Sequence, residues 1–265
     1  MTAGVIAVDG GELGSEMRGS GAPVVLLHGG LLDSRMWDAQ SAELAEHHTV
    51  VRYDARGHGR SSTPTAPFSP RDDLDRLLTG LDIPGAALVA LSGGGRIAID
   101  YAIHHPERVD RLVLVASGIE GRTHRDPFIL DQNERLLAAG AAGDLATAVE
   151  CTVRMWVDGP YRAAEETPAE VRALCHRMYT DTIERHVASG VVLAEGLTGI
   201  DGVGEIQAPT RALVGDLDSC DIHDVADLVC AGAKDARKVV VPGVGHMINM
   251  EAPAAFAREL AAGLR

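Results

Sequence analysis

Short, nearly unbroken apolar runs recur along this chain: Val5 to Val8, Val24 to Leu27, Thr49 to Tyr53, Ala87 to Leu91, Arg111 to Ala116, Arg211 to Val214 and Lys238 to Val241. Continuous Val/Leu blocks of this kind suit strands buried on both faces, the condition of a parallel sheet covered by helices. Between the later runs lie stretches with helical periodicity, Pro70 to Leu81, Gly94 to His104, Ile222 to Ala231 and Pro253 to Leu264. Strands alternating with helices predict an α/β fold built on a mostly parallel, doubly wound sheet. At the N-terminus the first apolar run meets Asp9, Gly10 and Gly11, a turn sequence that fits an antiparallel hairpin at the sheet edge.

From Ile119 to Gly204 the strand rhythm stops and the pattern is helical. Asp144 reads as the N-cap of a helix whose stripe Leu145, Ala148, Val149, Thr152, Val153 and Trp156 ends at Gly159 and Pro160. Thr167, Pro168 and Glu170 read as a capping box opening a second helix, with Val171, Leu174, Cys175, Met178 and Tyr179 on its apolar stripe. Residues 119–204 are therefore expected to form a helical cap inserted after the sixth strand, leaving 1–118 and 205–265 as the α/β core. The layer between cap and core is the expected ligand cavity. Trp156, Tyr179, Met155 and Met178 are the expected wall residues, although the same spacing suits cap packing.

One segment carries chemistry on its face. Leu88 to Ala102 reads LVALSGGGRIAIDYA, a strand, a tight turn and a helix with Ser92 at the apex. A serine hydroxyl is a poor nucleophile unless it is held exposed beside a base with backbone donors aimed at the oxyanion it creates. A strand-to-helix elbow supplies the exposure and the donors. It needs small residues two positions either side of the serine, here Ala90 and Gly94. Ala90 departs from the stricter G-x-S-x-G form.

Three further segments add to this: VVLLHGG at Val24 to Gly30, VVRYDARGHGRSS at Val50 to Ser62, and ALVGDLD (Ala212 to Asp218) with VVVPGVGHMINMEAP (Val239 to Pro253) near the C-terminus. With these the chain resembles the α/β-hydrolase superfamily over most of its length outside the middle segment. HGGLLDSRMWD, residues His28 to Asp38, places the resemblance in the serine-nucleophile branch near enol-lactone hydrolases and cofactor-free haloperoxidase-like esterases. The resemblance implies a triad in the order Ser92, Asp218, His246. It also implies an oxyanion hole from the backbone N–H groups of Gly30 and Gly93. Asp216, Asp218 and Asp221 all follow one strand, and only the family's spacing from Gly215 selects Asp218. His28 and His58 are read as loop braces, and His104 and His105 as the end of the elbow helix.

Composition narrows the partners. The chain has 265 residues and a formal charge of -14, which repels phosphate backbones and anionic lipid headgroups, so nucleic acid and membrane surfaces are not expected partners. No apolar stretch approaches a membrane span, and the N-terminus lacks a basic start followed by an apolar core, so a cytoplasmic protein is expected. Only two of the 24 basic residues are lysines, a coding bias of GC-rich bacterial genomes rather than physics. The four cysteines form no C-x-x-C pair and read as reduced thiols. No phosphate-cradling loop or zinc spacing is present, so no metal or cofactor is implied. The expected function is a cofactor-free serine hydrolase acting on a carboxylic ester, thioester or lactone of a small organic molecule. The alternatives are a C–C hydrolase, lyase or perhydrolase of the same fold, or a non-catalytic small-molecule receptor.

Overall fold

The structure, a computed structural model, describes residues 2–187, 194 and 196–265. Its eight strands are β1 (Thr2–Val8), β2 (Gly11–Arg18), β3 (Ala22–Leu27), β4 (His48–Tyr53), β5 (Ala86–Leu91), β6 (Val109–Val115), β7 (Thr210–Gly215) and β8 (Ala236–Val241). They form one sheet in the order β1-β2-β4-β3-β5-β6-β7-β8. β1 and β2 form the antiparallel edge hairpin, β2 continues antiparallel against β4, and every pairing from β4 to β8 is parallel. This is the α/β fold expected from the strand and helix rhythm.

The nine α-helices among the described residues are α1 (Asp38–Leu44), α2 (Pro70–Gly80), α3 (Gly93–His104), α4 (Pro127–Ala141), α5 (Leu145–Val153), α6 (Ala169–Thr182), α7 (Cys220–Gly232), α8 (Ile248–Glu251) and α9 (Pro253–Gly263). β5 shows why the apolar runs are unbroken. Its residues point alternately to opposite faces, and all six are buried. Ala87, Val89 and Leu91 join the apolar cluster that holds Trp37 and Phe256, while Ala86, Leu88 and Ala90 join the one that holds Leu74, Leu77 and Ile99. Chain progression reverses between β3 and β5, and in such sheets the crevice over the carboxyl ends of the strands at that point is where ligands bind.

The segment expected to be a cap, 119–204, contributes α4, α5 and α6 between β6 and β7. Residues 188–193 and 195 of it lie outside the described residues. Asp144 caps α5 as expected, its Oδ1 accepting from Thr147 N–H at 3.0 Å. The helix then runs on as a π-helical turn, Arg154–Asp158, closed by Gly159 at φ +79°. The capping box expected at Thr167 does not form. α6 starts at Ala169 behind Pro168 with no side-chain cap, and Thr167 Oγ1 is buried without a partner among the described residues. The local signal fails because Pro168, at φ -54° and ψ 124°, is not helical and takes the N-cap position itself, which leaves Thr167 one residue outside the cap. No helix among the described residues is long and apolar enough to cross a membrane.

Candidate active site

Ser92 follows β5 directly and sits at φ +49°, ψ -111°, a region that costs a non-glycine residue about 1–3 kcal/mol and persists only where the surroundings enforce it. Those surroundings are visible. Ser92 N–H donates to Val115 O at 3.0 Å, and Ser92 O accepts from Gly95 N–H at 2.9 Å and Gly118 N–H at 3.0 Å. The glycines after it are required by close approach. A Cβ on Gly94 would stand 2.6 Å from His28 O and 2.8 Å from Leu27 O, so α3 lies directly on the backbone of β3. Ala90 takes the preceding small position, fully buried opposite Leu27 and Leu114.

The same crowding brings Gly30 and Gly93 together. A Cβ on Gly93 would lie 2.8 Å from Gly30 N and 3.1 Å from Gly30 Cα. Neither of these two N–H groups donates a hydrogen bond among the described residues, and both glycines line the cavity that holds Ser92. The loop bearing Gly30 is braced by two histidines. His28 Nδ1–H donates to Gly29 O at 2.8 Å, and its Nε2 accepts from Ala55 N–H at 2.9 Å. His58 Nδ1–H donates to Arg56 O at 3.0 Å, and its Nε2 accepts from Leu31 N–H at 3.1 Å. Burial, with the neighbouring His28 ring, pushes the His58 imidazole down to about 3, so it stays neutral and keeps its acceptor nitrogen.

The loops after β7 and β8 pack backbone to backbone. A Cβ on Gly215 would meet Val244 O and Gly245 O at 2.3 Å, and Leu217 N–H donates to Val244 O at 3.0 Å. This contact sorts the three carboxylates that the sequence leaves open. Asp216 turns outward and accepts from Gly243 N–H at 2.7 Å. Asp221 is buried and accepts the backbone N–H groups of Arg125 and Asp126 at 3.0–3.1 Å. Asp218 faces His246: Nδ1–H donates to Oδ2 at 2.8 Å, and Asp218 Oδ1 accepts from Ser219 N–H at 2.8 Å. Both side chains are 2% exposed. With its proton on Nδ1, His246 presents a lone pair at Nε2, which is buried and unpartnered among the described residues. No hydrogen bond joins Ser92 Oγ to that nitrogen, and Ser92 and His246 line one cavity.

That cavity has a volume of about 400 Å³ and lies between the core loops and α4 to α6. Met155, Trp156 and Tyr179 line it. The Trp156 ring lies between His246 and His124, with centroids 5.1 and 5.4 Å away. Tyr179 is buried and its hydroxyl makes no hydrogen bond among the described residues; burial holds the phenol well above its ordinary value, so it remains a donor. Met178 is a correction. It does not line the cavity, and at 0% exposure it packs in the core with Val171 and Cys175, which share its side of α6 at spacings of one helical turn.

Sequence reasoning missed much of the lining. Leu31, Leu32, Ile129 and Met247 contribute apolar wall, while Arg96, Glu120, Arg122 and His124 make the cavity more charged than the low aromatic content suggests. Arg96 is ion-paired to Glu120, and Arg122 donates to Asp224 at 2.7 Å. Their signal is topological, since the loop after β6 opens beside the elbow. No group of three or more His, Cys, Asp or Glu among the described residues is arranged to hold a metal ion. All four cysteines are free thiols.

Residues 22–253 match the family described as alpha/beta hydrolase fold. An uncharacterised protein of Mycobacterium tuberculosis is 39% identical over 103 residues, a match that spans 38% of this chain and only 30% of that protein. A pimeloyl-(acyl-carrier protein) methyl ester esterase of Nitrosospira multiformis is 26% identical over 251 residues, 91% of this chain and 94% of its own length. Among solved structures, a thermophilic esterase from Thermogutta terrifontis superposes with a TM-score of 0.78 at 25% identity, covering 100% of both chains. The family match, which spans residues 22–253, shows that this protein belongs to the α/β-hydrolase fold family.

Proposed function

We propose that this chain is a serine hydrolase that cleaves a carboxylic ester, thioester or lactone of a small organic molecule, with Ser92 as nucleophile, His246 as base and Asp218 as its orienting acid. The observation that carries the reading is the buried Asp218–His246 pair, whose remaining nitrogen is unpartnered beside a serine at the apex of a strained elbow. Nε2 takes the Ser92 proton as Oγ attacks the acyl carbon, and Asp218 stabilises the imidazolium that results. The tetrahedral oxyanion lies against the N–H groups of Gly30 and Gly93, at the positive end of α3. Collapse expels the leaving group, which takes the proton from His246. Water, deprotonated by the same nitrogen, then releases the acid from the acyl-enzyme.

Residues 119–204 act as the cap that closes the substrate cavity, with Trp156, Tyr179 and Met155 as its walls. A cavity of about 400 Å³ fits a small or medium acyl compound. The esterase relatives, at 25–26% identity over nine tenths or more of this chain, support ester chemistry. The chemistry needs no metal or cofactor.

The test is a fluorophosphonate probe with the adduct mapped by mass spectrometry, followed by a panel of esters, thioesters and lactones. Labelling is expected on Ser92 alone, lost in Ser92→Ala and unaffected by a chelator. Persistent labelling of Ser92→Ala protein refutes the assignment.

A further inference from the structure

An ion pair that the reaction does not use lies between the turn carrying Trp156 and the loop carrying His246. Arg162 Nη1 donates to Glu251 Oε2 at 2.5 Å, and the two side chains are 5% and 2% exposed. The guanidinium also donates from Nε to Asp158 O and from Nη2 to Val157 O, each at 2.7 Å. These carbonyls close the π-helical turn that bears Trp156, where helical partners run out. At the other end, Glu251 terminates α8, the short helix behind His246, and its Oε2 accepts from Gly245 N–H at 3.4 Å. Gly245 has to be glycine for this to occur, since a Cβ there would stand 2.8 Å from Arg162 Nη2. Beside it, Gly159 lies against Leu217 O, the carbonyl preceding Asp218.

A buried ion pair adds little stability over apolar side chains of the same volume, because desolvating both charges offsets their attraction. This one also leaves Glu251 Oε1 buried without a partner among the described residues. What it provides that apolar packing does not is direction: three hydrogen bonds from one rigid, planar guanidinium hold the Trp156 turn to Glu251, and a fourth, from Gly245 N–H, holds the same carboxylate to the His246 loop. We propose that Arg162 and Glu251 are positioning residues that register the cap turn against the His246 loop, so that Nε2 faces Ser92 with the Trp156 ring held beside it. The proposal rests on the serine-hydrolase reading above.

The test compares wild type with Arg162→Met, the double variant Arg162→Met/Glu251→Leu, and Arg162→Lys. Three measurements are made on each: melting temperature, the rate of fluorophosphonate labelling at Ser92, and kcat and KM on a short chromogenic ester. Arg162→Met strands a buried carboxylate and lowers the melting temperature; the double variant removes both charges and recovers it. Labelling rate and kcat nevertheless stay down by about tenfold to hundredfold in the double variant, with KM changing less, because a small displacement of the base is enough to do this. Arg162→Lys keeps the charge paired but cannot span both carbonyls, and shows the same loss of rate. Wild-type labelling and kcat in the double variant or in Arg162→Lys overturn the positioning role. A wild-type protein that is not labelled at Ser92 refutes the hydrolase reading instead, so the two failures are distinguishable.

Discussion

Asp218→Asn isolates the acid, and its effect follows from the hydrogen bonds around it. Asp218 Oδ1 is held by Ser219 N–H at 2.8 Å, which only an oxygen can accept. The asparagine carbonyl therefore takes that place and turns its NH2 toward His246 Nδ1. Two donors cannot face each other, so the imidazole moves its proton to Nε2, the atom that has to accept from Ser92. The charge is lost as well. Ionic centres about 4 Å apart at an effective dielectric near 20 attract by about 4 kcal/mol, or roughly three decades in rate. We expect kcat to fall by about 10³ to 10⁴, with the labelling rate at Ser92 falling in parallel. Asp216→Asn, which touches only Gly243 N–H, is expected to stay within about tenfold of wild type, as expected for a surface substitution. Circular dichroism and the melting temperature verify that both variants are folded. An Asp218→Asn protein within tenfold of wild type, or one more active than Asp216→Asn, refutes the pairing on which the mechanism depends.

Three other outcomes follow from the geometry. His58 is neutral when folded, with a pKa of about 3 against 6.5 in the unfolded chain, so the unfolded state binds the extra proton and stability falls as pH drops below 6.5. Urea unfolding should show that the loss between pH 7 and 5 shrinks by about 2 kcal/mol in His58→Gln; an unchanged loss contradicts a neutral native His58. Gly94→Ala gains up to about 1 kcal/mol of helix propensity but forces a methyl against the β3 backbone, for a net loss of about 1–2 kcal/mol. Gly140→Ala, with open space around it in α4, should instead stabilise by about 0.5–1 kcal/mol, and thermal melts that fail to give opposite signs reject the packing argument. Trp156→Ala and Tyr179→Phe should reorder kcat/KM across a series of esters and lactones; lowered stability with the order unchanged would show that they only hold the cap.

The sequence determined those features whose causes are local. The Val/Leu runs specify strands covered on both faces, and β5 with six buried residues is the outcome. Asp9, Gly10 and Gly11 specify the edge hairpin, Asp144 caps α5 through its own third neighbour, and the glycines after Ser92 let α3 lie on β3. The elbow was legible for the same reason: a tight turn, a small residue and a helix start are all written within one short segment. Contacts between distant segments were not legible. Asp216, Asp218 and Asp221 are alike in sequence, and what separates them is how the loops after β7 and β8 pack across Gly215. Thr167 had the residues and the extended backbone of a cap but stands one residue too early, because Pro168 takes the N-cap and the helix starts at Ala169. Met178 and Tyr179 share one apolar stripe, and only the packing of α6 assigns the first to the core and the second to the cavity. Arg162 and Glu251 lie in segments with no periodic or spacing signal connecting them. A pattern along a chain records which side chains avoid water, whereas tertiary structure decides which of them meet, because burial is nonspecific while hydrogen bonds and ion pairs depend on distance and direction.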